Sequence, residues 1–213
     1  MLIELRDLLP LPLEGMPTHP ATLWCRTLQL APGSYQLIMA PSGTGKSTFL
    51  NMVYGIRHDY RGTINLDGQP AGALSLKGWS RLRRDKLSYV FQDLRLFPQQ
   101  TVWQNIQWKQ QLQPGIVEEE IMHWMELLGI AVKRNVLAGK LSLGQQQRVA
   151  IIRALVQPFH WLLLDEPFSH LDEPNARLAA SLILEICQRQ QAGLLMTSLG
   201  QNDFFPFHQQ LTL

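Results

Sequence analysis

The sequence predicts an α/β fold with a mainly parallel core sheet, and three observations carry that reading. Short apolar runs at Tyr35–Ala40, Leu87–Phe91, Trp161–Leu164 and Leu194–Thr197 have the length and composition of buried strands. Helical patterns fall between them in chain order, and strands that alternate with helices build parallel sheets. The strand at Tyr35–Ala40 runs straight into a glycine-rich turn, Pro41-Ser42-Gly43-Thr44-Gly45-Lys46-Ser47-Thr48, with a helix expected from there to Gly55.

The remaining elements follow in order. Leu2–Arg6 alternates as a strand, and Leu8–Pro20, with four prolines and a glycine, reads as a loop. Thr22–Leu30 alternates weakly as a second strand, and Pro32-Gly33 is a turn. Gly62–Asp67 is a strand closed by Gly68. From Thr101 to about Leu128 the pattern is helical, broken at Pro114-Gly115. Gln145–Val156 is a helix ended by Pro158, Glu173–Gln191 is another, and Phe207–Leu213 adds an edge strand. The expected division is one domain over 1–213, with a core of about 1–91 and 159–213 and a helical subdomain of about 100–157.

Composition excludes several classes. A net charge of +2 in 213 residues leaves no electrostatic footprint of a nucleic-acid binder, and no nucleic-acid partner is expected. The basic cluster Arg81, Arg83, Arg84 and Lys86 reads as a solvated face. Two distant cysteines suggest neither a disulfide framework nor a metal site and suit a reducing cytosol. The N-terminus alternates and carries charge at once, so it is not read as a signal peptide. No apolar run reaches the ~18–20 residues that span a bilayer.

Three motifs carry chemistry. At Ala40–Ser47 the glycines let the backbone curl and turn its N–H groups toward phosphate oxygens. Lys46 supplies a cation for the β- and γ-phosphates, the Ser47 hydroxyl suits Mg²⁺, and the helix start adds its positive end. Ala40 stands where this pattern usually has glycine, which is tolerated if its φ is negative. Trp161–Pro167 is an apolar strand ending in two acids, Asp165 and Glu166. Ligands of open α/β sheets sit at such strand ends. Asp165 would hold Mg²⁺ through water. Glu166 can face the attacking water as general base, a role worth typically ~10²–10⁴-fold. The third motif is Leu141-Ser142-Leu143-Gly144-Gln145-Gln146-Gln147-Arg148, about twenty residues before the acids, where Ser142 and free N–H groups at a helix start suit a γ-phosphate.

This third motif resembles the signature of ABC ATPases, in which Leu-Ser-Gly-Gly-Gln opens a helix. Val90-Phe91-Gln92-Asp93 resembles the family's Q-loop, and Ser169-His170-Leu171-Asp172 its D-loop. The resemblance covers nearly the whole chain. It implies a P-loop NTPase of the ABC ATPase type, whose mainly parallel core sheet carries an antiparallel β edge and a helical subdomain. It also implies that ATP and Mg²⁺ bind at Pro41–Thr48, with metal contacts from Ser47, Gln92 and Asp165. Two copies would face head to tail, Ser142, Leu143, Gly144 and Gln145 of each reaching the ATP of the other, with Asp172 at their interface. The implied partner is a transmembrane permease, and the implied place is peripheral, at the cytoplasmic face of the inner membrane. Phe97 and Trp103 are candidates to line the groove that takes a permease helix. The stretch Phe91–Pro98 is similar to the subgroup serving lipoprotein release, macrolide export and cell-division complexes.

The sequence departs from the family's pattern in three places. Leu143 replaces the first signature glycine, with little consequence expected. Ser198 stands where the family has a histidine that contacts the γ-phosphate, and neither His170 nor His208 falls there. Serine reaches less far, so turnover is expected to be slow. Ser198 is grouped with Glu166 and Gln92 as catalytic, and the alternative is an ATP-binding module that hydrolyses weakly and regulates a membrane complex. Finally, Leu8–Pro20 contains no aromatic residue to stack on adenine. His19 or leucines would have to serve.

Overall fold

The computed structural model describes residues 1–15, 22–200 and 203–213. In chain order its strands are β1 (Ile3–Pro10), β2 (Leu28–Leu30), β3 (Tyr35–Met39), β4 (Tyr60–Leu66), β5 (Gln69–Pro70), β6 (Leu87–Val90), β7 (Trp161–Asp165), β8 (Gly193–Ser198) and β9 (Gln209–Thr212). The helices are α1 (Lys46–Val53), α2 (Leu76–Asp85), α3 (Val102–Gln110), α4 (Glu118–Leu127), α5 (Leu143–Leu155) and α6 (Glu173–Gln190).

Five strands form a parallel sheet in the order β6-β7-β8-β3-β9. Both of its faces are covered, which explains the near-continuous apolar runs read from the sequence. Along β7, Leu162 and Leu164 enter the core shared with α3, α4, α5 and α6, while Trp161 and Leu163 enter the core shared with α1. Leu194 and Leu195 on β8 divide the same way. A fully buried leucine of this kind contributes about 1.5–3 kcal/mol.

The antiparallel strands make a second sheet, β2-β1-β4-β5, rather than extending the edge of the first. Its inner residues Ile3, Leu5, Ile64 and Leu66 share a core with Phe49, Leu50 and Val53 of α1. The helix that opens at the phosphate loop is thereby packed between two sheets.

Several boundaries differ from the sequence reading. β1 continues through Leu8–Pro10, which the prolines had marked as loop. A bulge after Arg6, with Asp7 at φ 50°, re-registers the strand, and Leu9 and Pro10 pair with Arg61 and Tyr60. Pro10 (φ −61°, ψ 134°) ends the strand, where a missing N–H costs no interior ladder bond. The strand expected over Thr22–Leu30 is confined to Leu28–Leu30, because the chain turns at Cys25 (φ 57°) and Trp24 enters the core. Helix α1 stops at Val53, short of Gly55, and α5 starts two residues early, at Leu143, because Ser142 caps it.

Helix α2 was not anticipated, and it corrects the view of its basic cluster. Arg83 is half-buried. Its guanidinium donates to the carbonyls of Tyr54 (3.2 Å) and Gly55, just past the end of α1, where helix carbonyls otherwise lack partners. Its charge also lies over the Tyr54 and Trp79 rings.

Candidate functional site

The turn between β3 and α1 has the backbone its glycines imply. Gly43 and Gly45 take φ values of 81° and 105°, which a side chain would strain. Ala40 is not among the residues with positive φ, so alanine fits there, and its N–H donates to the Ser198 carbonyl (3.2 Å). Lys46 is buried. Its ammonium donates to the carbonyls of Ala40 (2.9 Å) and Pro41 (3.0 Å) and pairs with the Glu166 carboxylate at 3.2 Å. The first and second motifs of the sequence therefore meet in space.

Glu166 is aimed at Lys46 by an unusual backbone. Its φ is 48°, a left-handed conformation that costs a non-glycine residue on the order of 1–3 kcal/mol. Its N–H is tied to the Thr197 hydroxyl at 3.3 Å, and that hydroxyl donates to Asp165 Oδ1 at 2.7 Å. Thr197, wholly buried on β8, thus joins both acids. The sequence reading missed it because only the pairing of β7 with β8 sets Thr197 opposite Asp165.

We expect Thr197→Val to lower stability by about 1–3 kcal/mol, since it strands a buried carboxylate oxygen. Thr197→Ser should keep most of it. Denaturant unfolding of the two variants measures the difference.

Asp165 faces a cavity of about 390 Å³ lined also by Ser47, Gln92, Tyr89 and His170. Burial holds its carboxyl above the usual carboxylate range, opposed by the Ser47 and Thr197 hydroxyls. The Ser47 hydroxyl lies 3.3 Å from Gln92 Oε1, and the Tyr89 hydroxyl reaches Asp165 Oδ2 at 3.5 Å. The hydroxyl, amide and carboxylate oxygens of Ser47, Gln92 and Asp165 are the hard donors that Mg²⁺ takes, few enough to leave places for water and phosphate. His170, which does not fall at the family's histidine position in the sequence, lies on the wall of this cavity. Ser198 lies apart from it. With Glu166 and Thr197 it lines a neighbouring cavity of about 190 Å³ at the end of β8, and its hydroxyl accepts from the Gly200 N–H at 3.4 Å.

The signature residues line neither of these two cavities. Ser142 caps α5, its hydroxyl accepting from the Gln145 N–H (3.3 Å) while Gln145 Oε1 accepts from the Ser142 N–H (3.1 Å). Both Ser142 and Leu143 are exposed. Gly144 is held close to the following loop, and a Cβ there would lie 2.6 Å from the His170 carbonyl oxygen. Asp172 caps α6, accepting from the N–H of Asn175 at 3.0 Å. Among the described residues, no hydrogen bond or ion pair joins Ser142–Gln145 to Pro41–Thr48 of the same chain.

Among the described residues, no aromatic platform for a base stands out beside the phosphate loop. Trp24 and Leu13 approach Gly45 most closely, at 3.4 and 3.7 Å from the position of a Cβ, but Trp24 is buried under the turn. Leu13 is half-buried there, and His19 lies outside the described residues.

A phosphate loop on a parallel sheet, with an acidic pair at the adjacent strand end, defines a nucleotide-binding P-loop protein. The ABC transporter family model matches residues 26–169, and the chain belongs to that family. It is similar to the aliphatic sulfonates import ATP-binding protein SsuB of Bacillus subtilis (strain 168), at 31% identity over 171 residues, 80% of this chain and 64% of that protein. The thiamine import ATP-binding protein ThiQ of Escherichia coli O157:H7 is 37% identical over 182 residues, 83% of this chain and 75% of that protein. Against SsuB, the chain thus spans less than two thirds of its relative's length. Among solved structures, the dimeric bacterial ABC transporter cassette MJ0796 superposes with a TM-score of 0.79 at 26% identity, covering 93% of this chain and 88% of that one. A post-hydrolysis dimer of the same cassette, bound to ADP and Pi, gives a TM-score of 0.76 at 25% identity.

Proposed function

We propose that this chain binds ATP with Mg²⁺ and hydrolyses it as the ATP-binding subunit of a membrane transporter, working as a pair of copies. The observation that carries the reading is the convergence of Lys46, Ser47, Gln92, Asp165 and Glu166 on one phosphate loop, with the capped start of α5 outside the cavity that Asp165 faces. A triphosphate entering the loop competes with Glu166 for Lys46. Glu166, released, faces the γ-phosphate side, where it can take a proton from water. Ser47, Gln92 and Asp165 would hold Mg²⁺, which supplies charge neutralisation of the phosphates when bound. Ser142–Gln145 serve the nucleotide of a second copy, which explains why one chain leaves Ser142 and Leu143 exposed, and Asp172 lies at the seam. Both relatives named above are ATP-binding proteins of import systems, and the solved cassettes are dimers.

Among the described residues no helix is long and apolar enough to cross a membrane. We assign the spanning part to a permease and this chain to the cytoplasmic face of the inner membrane. The helices of 100–157 carry closure of the pair to the permease. The two relatives import chemically unlike substrates, a sulfonate and a thiamine, which supports placing substrate choice outside this chain.

The first test is thermal melting. Mg-ATP at ~100 times its dissociation constant should add about 2.7 kcal/mol of stability, and Lys46→Ala should abolish the shift. A wild-type melting curve unmoved by Mg-ATP would overturn nucleotide binding. A second reading, an ATP-binding module that hydrolyses weakly, is favoured by Ser198.

A further inference from the structure

Glu166 points at Lys46 from a left-handed backbone, and such a conformation persists only where the surroundings over-determine it. On one side the tie is the bond from the Glu166 N–H to the Thr197 hydroxyl. On the other, the turn Glu166-Pro167-Phe168-Ser169 is closed by the Ser169 N–H, which donates to the Glu166 carbonyl at 3.2 Å. The side chain that anchors this turn is Phe168.

The Phe168 ring meets Phe204 edge to face at 4.9 Å and stacks on Phe205 at 6.0 Å, with 28° between the planes. At such separations aromatic pairs contribute beyond the area they bury. Both partner rings are themselves held. Phe205 is buried and shares a core with Leu194 and Met196 of β8 and with Ile183 of α6. Arg177 of α6 lies over the Phe204 ring, and its guanidinium pairs with Glu173 at 2.8 Å and with Asp203 at 3.8 Å. Phe207 meets Phe205 at 5.8 Å, and just beyond it β9 pairs with β3, the strand that enters the phosphate loop. Phe168 thus ties the turn of Glu166 to residues 203–207, far along the chain. It also lines the cavity that Glu166 shares with Ser198.

We propose that Phe168 is a positioning residue for hydrolysis: clasped by Phe204 and Phe205, its ring holds the turn that keeps the Glu166 carboxylate directed at the phosphate loop. The proposal rests on the reading of Glu166 as general base and adds what holds that base in place. Freed from the clasp, the turn relaxes toward an ordinary backbone conformation and carries the carboxylate away from the γ-phosphate side. A misplacement of about 1 Å can cost on the order of 10²-fold in rate.

The test measures ATP turnover and nucleotide binding of the full chain with Mg-ATP. Phe168→Ala should lower kcat by about 10²-fold with little change in KM, and Mg-ATP should still stabilise the variant against heat. Phe168→Tyr, which keeps the ring, should restore kcat. If Phe168→Ala does not fold, Phe168→Leu, which keeps apolar bulk without the ring, takes its place and should show the same loss. Phe205→Leu, at a residue that lines neither cavity of the site, should lower kcat in the same direction and add little to Phe168→Ala. In the Glu166→Gln background, Phe168→Ala should change turnover no further, since no base is left to position. A wild-type kcat in Phe168→Ala or Phe205→Leu overturns the proposal. So does a loss that tyrosine fails to restore, a raised KM at unchanged kcat, or a further loss in the Glu166→Gln background. If any of these occurs while Glu166→Gln alone is slow, the base reading stands and only the positioning role falls. If Glu166→Gln turns over as fast as wild type, the base reading falls and the positioning role with it.

Discussion

Replacing Glu166 by glutamine should lower ATP turnover by about 10²–10⁴-fold while leaving nucleotide binding intact. Glutamine keeps the shape of the side chain and the backbone tie from its N–H to Thr197, but it cannot accept a proton from water. It also removes the ion pair with Lys46, so the phosphate loop loses an internal competitor and ATP affinity should hold or rise. Single-turnover hydrolysis and nucleotide titration, run on wild type and variant together, separate the two effects. With ATP retained and unhydrolysed, the variant should also run as a dimer on gel filtration. If wild type and Glu166→Gln are equally slow, the enzyme reading fails and the weakly hydrolysing module takes its place.

Replacing Ser198 by histidine should raise turnover by up to about 10²–10³-fold, the typical worth of one transition-state donor. Ser198 ends β8 immediately after Thr197 and shares a cavity with Glu166, so a longer side chain there projects toward the proposed γ-phosphate position. The serine hydroxyl instead accepts a local bond from the Gly200 N–H. The gain should appear in kcat, with little change in KM, because the missing contact acts on charge that develops during the reaction. An unchanged kcat would mean that Ser198, or another donor, already supplies that contact.

The parts of the fold that the sequence made legible are those whose physics is local. Gly43 and Gly45 were readable because a left-handed backbone tolerates almost nothing else. Ser142 was readable as standing at a helix start because its motif is a run of consecutive residues, while the capping box it forms with Gln145 came from the structure. The runs at β3, β7 and β8 were readable because strands buried on both faces need apolar residues at every position.

The rest depended on contacts between distant segments. Helix α2 was missed because only Trp79 of it is buried, with Leu82 partly buried against the same core, in a mostly polar stretch interrupted by Gly78. Spacing alone could not tell Trp103 from Trp108. The first turns into the core that α3 shares with α4 and α5, and the second into a groove beside Phe97.

By itself, then, the sequence determined that this chain carries a phosphate loop, an acidic strand end and a signature helix start, because each is a property of a few consecutive residues. Only the tertiary structure decided that Lys46 meets Glu166, that Thr197 joins the two acids, and that Phe168 rests on Phe204 and Phe205. Those juxtapositions arise where strands and helices far apart in the chain pack side by side, and close packing fixes which side chains meet.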